Sequence, residues 1–150
     1  MTRISRTALA VLLLSTPLLA AELVNVSGAS NVALNGFDSV AFFTDAKPVN
    51  GSPFISATYQ GAVYFFASED HKKMFTQNPD KYAPQYGGFC AFGVAHDGLA
   101  PVDITTWQIR NGKLYLNVNH DILNKFNADL DGNVANANKN WPGLVQKNAK

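Results

Sequence analysis

The sequence predicts an α+β fold, in which two small antiparallel hairpins pack against short helices. The first hairpin is indicated by two strand-like runs, Phe54–Tyr59 and Ala62–Phe66, which are joined at Gln60-Gly61. The second is indicated by TWQIRNGKLYLNVN, where alternating apolar residues flank Asn111-Gly112, a pair favoured in type I′ turns. Helix signals separate and follow the two hairpins, which completes the α+β assignment.

Three helices are predicted around these hairpins. Ser68 is a favoured N-cap residue, and the two acidic residues that follow it suit the positive end of a helix dipole. This helix is expected to end before Pro79, because proline cannot continue it. Two shorter helices, over residues 120–128 and 134–139, are expected to close the domain.

The remaining segments are predicted to be turns and loops, with a short helical turn and one short helix among them. Asn35-Gly36 marks a turn, and Asp38 is placed to cap a short helical turn through Phe43. PDKYAPQY, residues 79–86, is expected to be an irregular connection rich in proline and tyrosine. Residues 87–94 predict a short helix, although their three glycines disfavour it.

The N-terminal residues have the layout of a secretory signal peptide. Arg3 and Arg6 form a positive region, residues 8–14 an apolar stretch, and LLAA at residues 18–21 a small-residue cleavage site. A membrane anchor needs about 20 apolar residues, and this run is interrupted earlier. We therefore expect a signal peptide over residues 1–21 and a periplasmic or secreted protein, without a membrane span after cleavage.

Removal of the signal peptide leaves a chain of single-domain size, in which residues 22–33 form a short leader and residues 34–145 the predicted domain. Its formal net charge falls from +1 to −1, because two arginines and no acidic residues are lost. The remaining lysines and arginines are scattered along the chain. Without a basic stripe to follow phosphates, nucleic acid is not an expected partner.

Several motifs in the middle of the chain resemble the YHS domain. The YHS signature runs Tyr-x-Gly-x-x-Tyr, an aromatic, a serine, a helix with a phenylalanine, then proline and tyrosine. The matching positions are Tyr59, Gly61, Tyr64, Phe66, Ser68, Phe75, Pro79 and Tyr82. GFDSVAFF, YAPQYGGFCAFG, the W…NGKLYLN hairpin and a terminal NWP extend the likeness to exported YHS domain-containing proteins.

The resemblance implies a treble-clef-like core and a link to metal handling. YHS domains occur beside heavy-metal transport ATPases and in metal-dependent oxygenases. Metal-binding relatives carry cysteines after the second strand and on the first helical turn, positions that correspond here to Ala67 and His71. The name-giving histidine corresponds to Phe65. An upstream cysteine has no counterpart, and Asp38 is the nearest polar substitute.

The chain has a single cysteine, Cys90, which glycines and aromatics flank. We expect His71 and Cys90 to form a transition-metal site, because imidazole and thiolate suit copper or zinc. The spacing itself gives zinc little support, since no C-x-x-C pair is present. The other side chains expected to contact a metal or small-molecule ligand are Tyr82, Tyr86, Asp38 and His96.

Two other classes of function stay open at this stage. Cys90 with a nearby histidine could act as the nucleophile of a cysteine-dependent enzyme or in a redox protein. No known cysteine-hydrolase signature surrounds it, so a binding protein is favoured over an enzyme. The chain could also be a purely structural or interaction module, in which Cys90 is a buried, inert thiol.

NADLDGNVANAN, residues 127–138, nearly matches a calcium-binding loop. Asn127, Asp129 and Asp131 fall at ligand positions, but position 12 is Asn138 instead of a bidentate glutamate. The pattern therefore favours a polar turn between two helices, with Gly132 supplying backbone freedom.

Overall fold

The computed structural model describes residues 23–149. The predicted signal peptide lies outside these residues. The elements in chain order are β1 (Val26–Ser27), β2 (Val32–Ala33), α1 (Ala41–Thr44), β3 (Ser52–Tyr59), β4 (Ala62–Phe66), α2 (Glu69–Gln77), α3 (Pro79–Tyr82), α4 (Ala91–Ala95), β5 (Asp103–Arg110), β6 (Lys113–Asn117), α5 (His120–Ala128) and α6 (Leu130–Asn148). Two small sheets with short helices confirm the α+β class.

The first sheet has the strand order β1-β2-β4-β3. Its centre is the predicted β3–β4 hairpin, in which Gln60 and Gly61 both have positive φ, as a type I′ turn requires. Residues 22–33 were predicted to be a short leader without a strong hydrophobic period, yet β1 and β2 lie within them and extend this sheet. β2 joins the sheet through the parallel pairing of Val32 with Val63 of β4. Pairing with a longer strand therefore orders strands of only two residues.

The second sheet is the predicted β5–β6 hairpin. Asn111 and Gly112 have φ values of 50° and 71°, which confirms the expected turn. Successive side chains of β6 point to opposite faces of the strand. Leu114 and Leu116 enter one hydrophobic cluster, with Phe42, Phe66 and Phe75, whereas Tyr115 enters a second cluster. β6 therefore forms the boundary between two cores.

The second core is helical. Tyr86, Val94, Phe126, Ala137 and Leu144 pack together with Tyr115 in this cluster. α5 has the predicted bounds, but α6 is far longer than predicted and continues through Pro142 to Asn148. No helix among residues 23–149 combines the length and the apolar character that crossing a membrane demands.

The calcium-loop match does not form a loop. Asp129 caps α6 by accepting a hydrogen bond from the backbone N of Gly132 at 3.1 Å, and helix resumes at Leu130. Residues 127–138 are thus two helices separated by one capping residue. The predicted polar turn between two helices is present at Asp129. Gly132 lies inside α6, so it does not supply the backbone freedom that was expected at the turn.

The expected irregular connection after α2 is partly helical. Pro79 occupies the first turn of α3, where its missing N–H is not needed. A 3₁₀ turn over Gln85–Gly88 follows, in which Tyr86 and Gly87 have positive φ. These left-handed residues separate α3 from α4, so the helix predicted over residues 87–94 begins only after Cys90.

Candidate functional site

Asp38 is a carboxylate buried at the start of α1, with no exposed surface. Its Oδ1 accepts hydrogen bonds from the backbone N of Val40 at 2.9 Å and of Ala41 at 3.3 Å. Its Oδ2 accepts another from the backbone N of Ala67 at 2.8 Å. A buried charge needs such partners, and Asp38 therefore holds α1 against the end of β4. Its predicted capping role is confirmed.

His71 lies in the first turn of α2, where Ser68 caps the helix by accepting from the backbone N of His71 at 3.1 Å. Its ring faces inward, and 15% of the side chain is exposed. Nδ1 lies 2.7 Å from Oδ2 of Asp38. Because a carboxylate accepts hydrogen bonds and does not donate them, Nδ1 carries the proton and donates to Asp38. This bond fixes the ring and leaves Nε2 facing away from the core.

The Nε2 atom of His71 meets the C-terminal end of α1. It lies 3.3 Å from Thr44 Oγ1 and 4.0 Å from Asp45 Oδ1. Thr44 Oγ1 also lies 2.8 Å from Asp45 Oδ1, to which it donates. The imidazole thus has a buried carboxylate on one side and a partly exposed carboxylate on the other. We call Asp38, Thr44, Asp45, Ala67 and His71 the Asp38–His71 site.

Two carboxylates flank the ring of this site, those of Asp38 and Asp45. In α2, Glu69 and Asp70 precede His71 and Lys72 and Lys73 follow it, so the formal charges of the helix next to the ring balance. No lysine or arginine forms an ion pair with these four carboxylates in the part of the chain that the structure describes. A neutral imidazole nitrogen beside carboxylates is a donor set for a divalent metal ion.

Cys90 is buried, with 1% of its surface exposed, and it caps α4. Its Sγ accepts from the backbone N of Gly93 at 3.4 Å and lies 3.6 Å from Oδ1 of Asn117. Within residues 23–149 Cys90 makes no hydrogen bond or ion pair with a histidine. The structure therefore does not bring His71 and Cys90 into one hydrogen-bonded group, and it provides no base that would activate the thiol.

The other predicted ligand contacts are also dispersed. Tyr82 is buried in the first core, edge-on to Phe43. Tyr86 is buried in the second core, and its hydroxyl donates to Oδ1 of Asn138 at 3.0 Å. His96 is held at the end of α4 by its Nδ1, 2.8 Å from the carbonyl oxygen of Phe92. Of the six predicted site residues, only Asp38 and His71 are hydrogen-bonded to each other.

Comparison with protein families identifies the middle of the chain. The family model of the YHS domain matches residues 40–86. The chain contains a YHS domain. No match was found among curated proteins or among solved structures. The matched span includes Ala67 and His71, begins two residues after Asp38, and ends before Cys90.

The YHS domain of this chain does not have the donor set of a closed metal cage. The resemblance assigns Ala67 and His71 to positions that are cysteines in metal-binding relatives. These two residues lie close together, because the amide of Ala67 and the ring of His71 both contact Oδ2 of Asp38. Ala67 offers no donor side chain, and the oxygens of Asp38 already accept four hydrogen bonds. No group of three or more His, Cys, Asp or Glu in the described chain is arranged around a metal position.

An open site fits the residues better. Nε2 of His71 and the carboxylate of Asp45 could supply two ligands, and solvent the others. Sequence reasoning missed Thr44 and Asp45, since neither lies at a spacing typical of metal ligands. Their only signal is position, at the end of the short helical turn that Asp38 caps.

Proposed function

We propose that this chain is an exported YHS-domain protein that binds a copper or zinc ion reversibly at its surface. His71 supplies the first ligand through Nε2, and Asp45 supplies the second. The observation that carries the proposal is the 2.7 Å hydrogen bond between Nδ1 of His71 and Asp38. Histidines that bind metals usually donate their other ring nitrogen to a carboxylate or carbonyl in this way.

The geometry suits two ligands of one ion. In a tetrahedral site, two ligand atoms that each lie about 2.0–2.2 Å from zinc are about 3.3–3.6 Å apart, so Oδ1 of Asp45, which is 4.0 Å from Nε2, would have to move closer. A small rotation of the Asp45 side chain, which is 37% exposed, would complete the pair. An ion with two protein ligands keeps solvent ligands, so it exchanges readily, as expected of a carrier instead of a structural metal.

The test is calorimetric titration of the purified protein with Cu²⁺ and Zn²⁺, combined with electron paramagnetic resonance of the copper form. Wild-type protein should bind one ion with a nitrogen ligand, and His71→Ala should abolish this binding. Asp45→Asn should weaken it by about tenfold, which corresponds to about 1.4 kcal/mol. His96→Ala and His120→Ala are matched controls, because both remove an imidazole elsewhere on the chain. Undiminished copper binding by His71→Ala would refute the proposal.

A structural role for the same site is the second candidate, and one observation favours it. Asp38 connects α1, the end of β4 and α2 through four hydrogen bonds, which would stabilise the domain without any ligand. A wild-type protein that binds neither metal, and that Asp38→Asn still destabilises, would support this role alone.

The proposal includes export of the protein, which a separate measurement tests. The support is the charge and apolar pattern of residues 1–21. Mass spectrometry of the protein recovered from the periplasm should show a chain beginning at Ala21 or Glu22. Recovery of the intact chain in the cytoplasm would contradict it.

A further inference from the structure

A cavity of about 210 Å³ lies between the β5–β6 turn and the first turns of α6. It is outside the residues that match the YHS domain. It is separate from the Asp38–His71 site and shares no residue with it. The residues that give it chemical character are Arg110, Asn111, Tyr115, Asp131, Val134 and Asn138.

Two opposite charges line this cavity without pairing with each other. Arg110 comes from the end of β5, and Asp131 from the first turn of α6. Neither forms an ion pair with another residue in the described range 23–149. Both charges are therefore available to a ligand that carries a carboxylate and an amine. The guanidinium is suited to the carboxylate, since its planar donors match two oxygens.

Two uncharged polar groups add to the carboxylate side. Tyr115 lines the cavity, and its hydroxyl makes no hydrogen bond within residues 23–149. This oxygen keeps contact with solvent, so the hydroxyl can donate to a ligand in the cavity. Oδ1 of Asn138 accepts from Tyr86, which leaves the Nδ2 protons of Asn138 as donors.

The apolar wall restricts the ligand further. Leu130 and Val134 of α6 form an apolar wall that suits a branched aliphatic group.

From these observations we infer that the cavity binds a small aliphatic α-amino acid. Its carboxylate contacts Arg110 and Tyr115, its ammonium group contacts Asp131, and its side chain packs on the wall formed by Leu130 and Val134. This site would make the protein a carrier of an organic ligand, independently of any metal bound at His71.

The test is a titration of the ¹⁵N-labelled full chain with L-valine, followed by NMR. Resonances of residues 110–115 and 130–138 should shift, and those near His71 should not. Isovalerate, which lacks the amine, and isobutylamine, which lacks the carboxylate, should each bind at least tenfold more weakly than L-valine.

Substitutions of the cavity residues test which side chain contacts which group of the ligand. Arg110→Gln should weaken L-valine by at least tenfold, whereas Lys113→Gln, on the same hairpin and outside the cavity, should change nothing. Asp131→Asn should weaken L-valine and leave isovalerate unaffected. Tyr115→Phe keeps the packing and should also weaken L-valine. Absence of shifts at millimolar L-valine, or equal affinity for isovalerate, would overturn the inference.

Discussion

Replacement of Asp38 by asparagine should lower the free energy of unfolding by about 2–4 kcal/mol. Asparagine has the same shape as aspartate, so packing is kept and only the hydrogen bonds change. Its carbonyl oxygen can still accept from Val40 and Ala41, but its NH₂ group then replaces Oδ2. That group faces the amide of Ala67, which loses its acceptor in a buried position.

The expected decrease in the free energy of unfolding is the sum of two costs. An orphaned buried N–H costs about 1–3 kcal/mol, and the charge-assisted bond to His71 becomes a neutral one, which costs about another 1 kcal/mol. A domain of this kind has a total stability of about 5–15 kcal/mol, so the change is a large share of it. Urea unfolding should therefore show a midpoint lowered by about 1–2 M with an unchanged slope.

Asp45→Asn is the matched control. The same substitution is made on the other side of the same imidazole, but Asp45 is partly exposed and lies 4.0 Å from Nε2. Exposed pairs contribute little, so its cost should stay below about 0.5 kcal/mol. A loss of less than about 1 kcal/mol for Asp38→Asn would show that water replaces the carboxylate, and the buried network would then not hold α1 and α2 together.

Three further predictions concern other parts of the fold. Cys90 should react with a thiol reagent only as fast as the protein unfolds, and Cys90→Ser should cost less than about 1 kcal/mol because a hydroxyl can make the same two hydrogen bonds. Gly87→Ala should be more destabilising than Gly112→Ala in urea unfolding. Both glycines have positive φ, but only at Gly87 would a Cβ lie 2.1 Å from a backbone oxygen of the N-terminal segment. Burial raises the pKa of Tyr64 and Tyr86 above the usual value of 10.0, so the stability that their burial provides is complete below about pH 10 and is lost as the pH rises further. Urea unfolding at increasing pH should show this decline, and absorbance should show that the two tyrosines ionise only on unfolding.

Local signals were sufficient to predict the two hairpins and α2. Asn111-Gly112 specifies its turn by backbone preference, Gly61 and the flanking strand-like runs indicate the other turn, and Ser68 caps α2 with its own side chain. Such features depend on neighbours in sequence. They are therefore visible before any tertiary contact is known.

The extent of α6 could not be predicted in this way. Its sequence is rich in asparagine and glycine and contains Pro142, all of which disfavour a helix. The helix is stabilised by packing on α4, where Nδ2 of Asn140 donates to the carbonyls of Val94 and Ala95 at 3.0 and 3.1 Å. Strands β1 and β2 were missed for a similar reason, since they depend on pairing with β4.

The candidate site was predictable only in part. His71 lies at helical spacing from Met74 and Phe75, which predicts that it faces inward from α2. The resemblance to YHS domains indicated Asp38 as a substitute for a missing cysteine. Their contact spans 33 positions and depends on how the β3–β4 hairpin brings α2 beside α1. The expected partnership of His71 with Cys90 rested on ligand chemistry, the helix register of His71 and the glycine-flanked setting of Cys90. No local signal could show that Cys90 caps α4 beside Asn117.

In the proposed metal site, the two ring nitrogens of His71 separate stability from metal binding. Nδ1 contributes to a buried network, so the domain does not need a metal ion to hold α1 against α2. Nε2 is then free to exchange a ligand without unfolding the protein. If this division holds, Asp38→Asn should lower both stability and copper affinity, because it changes the ring's tautomer as well as its support. Asp45→Asn should lower copper affinity and leave stability almost unchanged. If Asp38 and His71 had only a structural role, the two effects would not separate in this way.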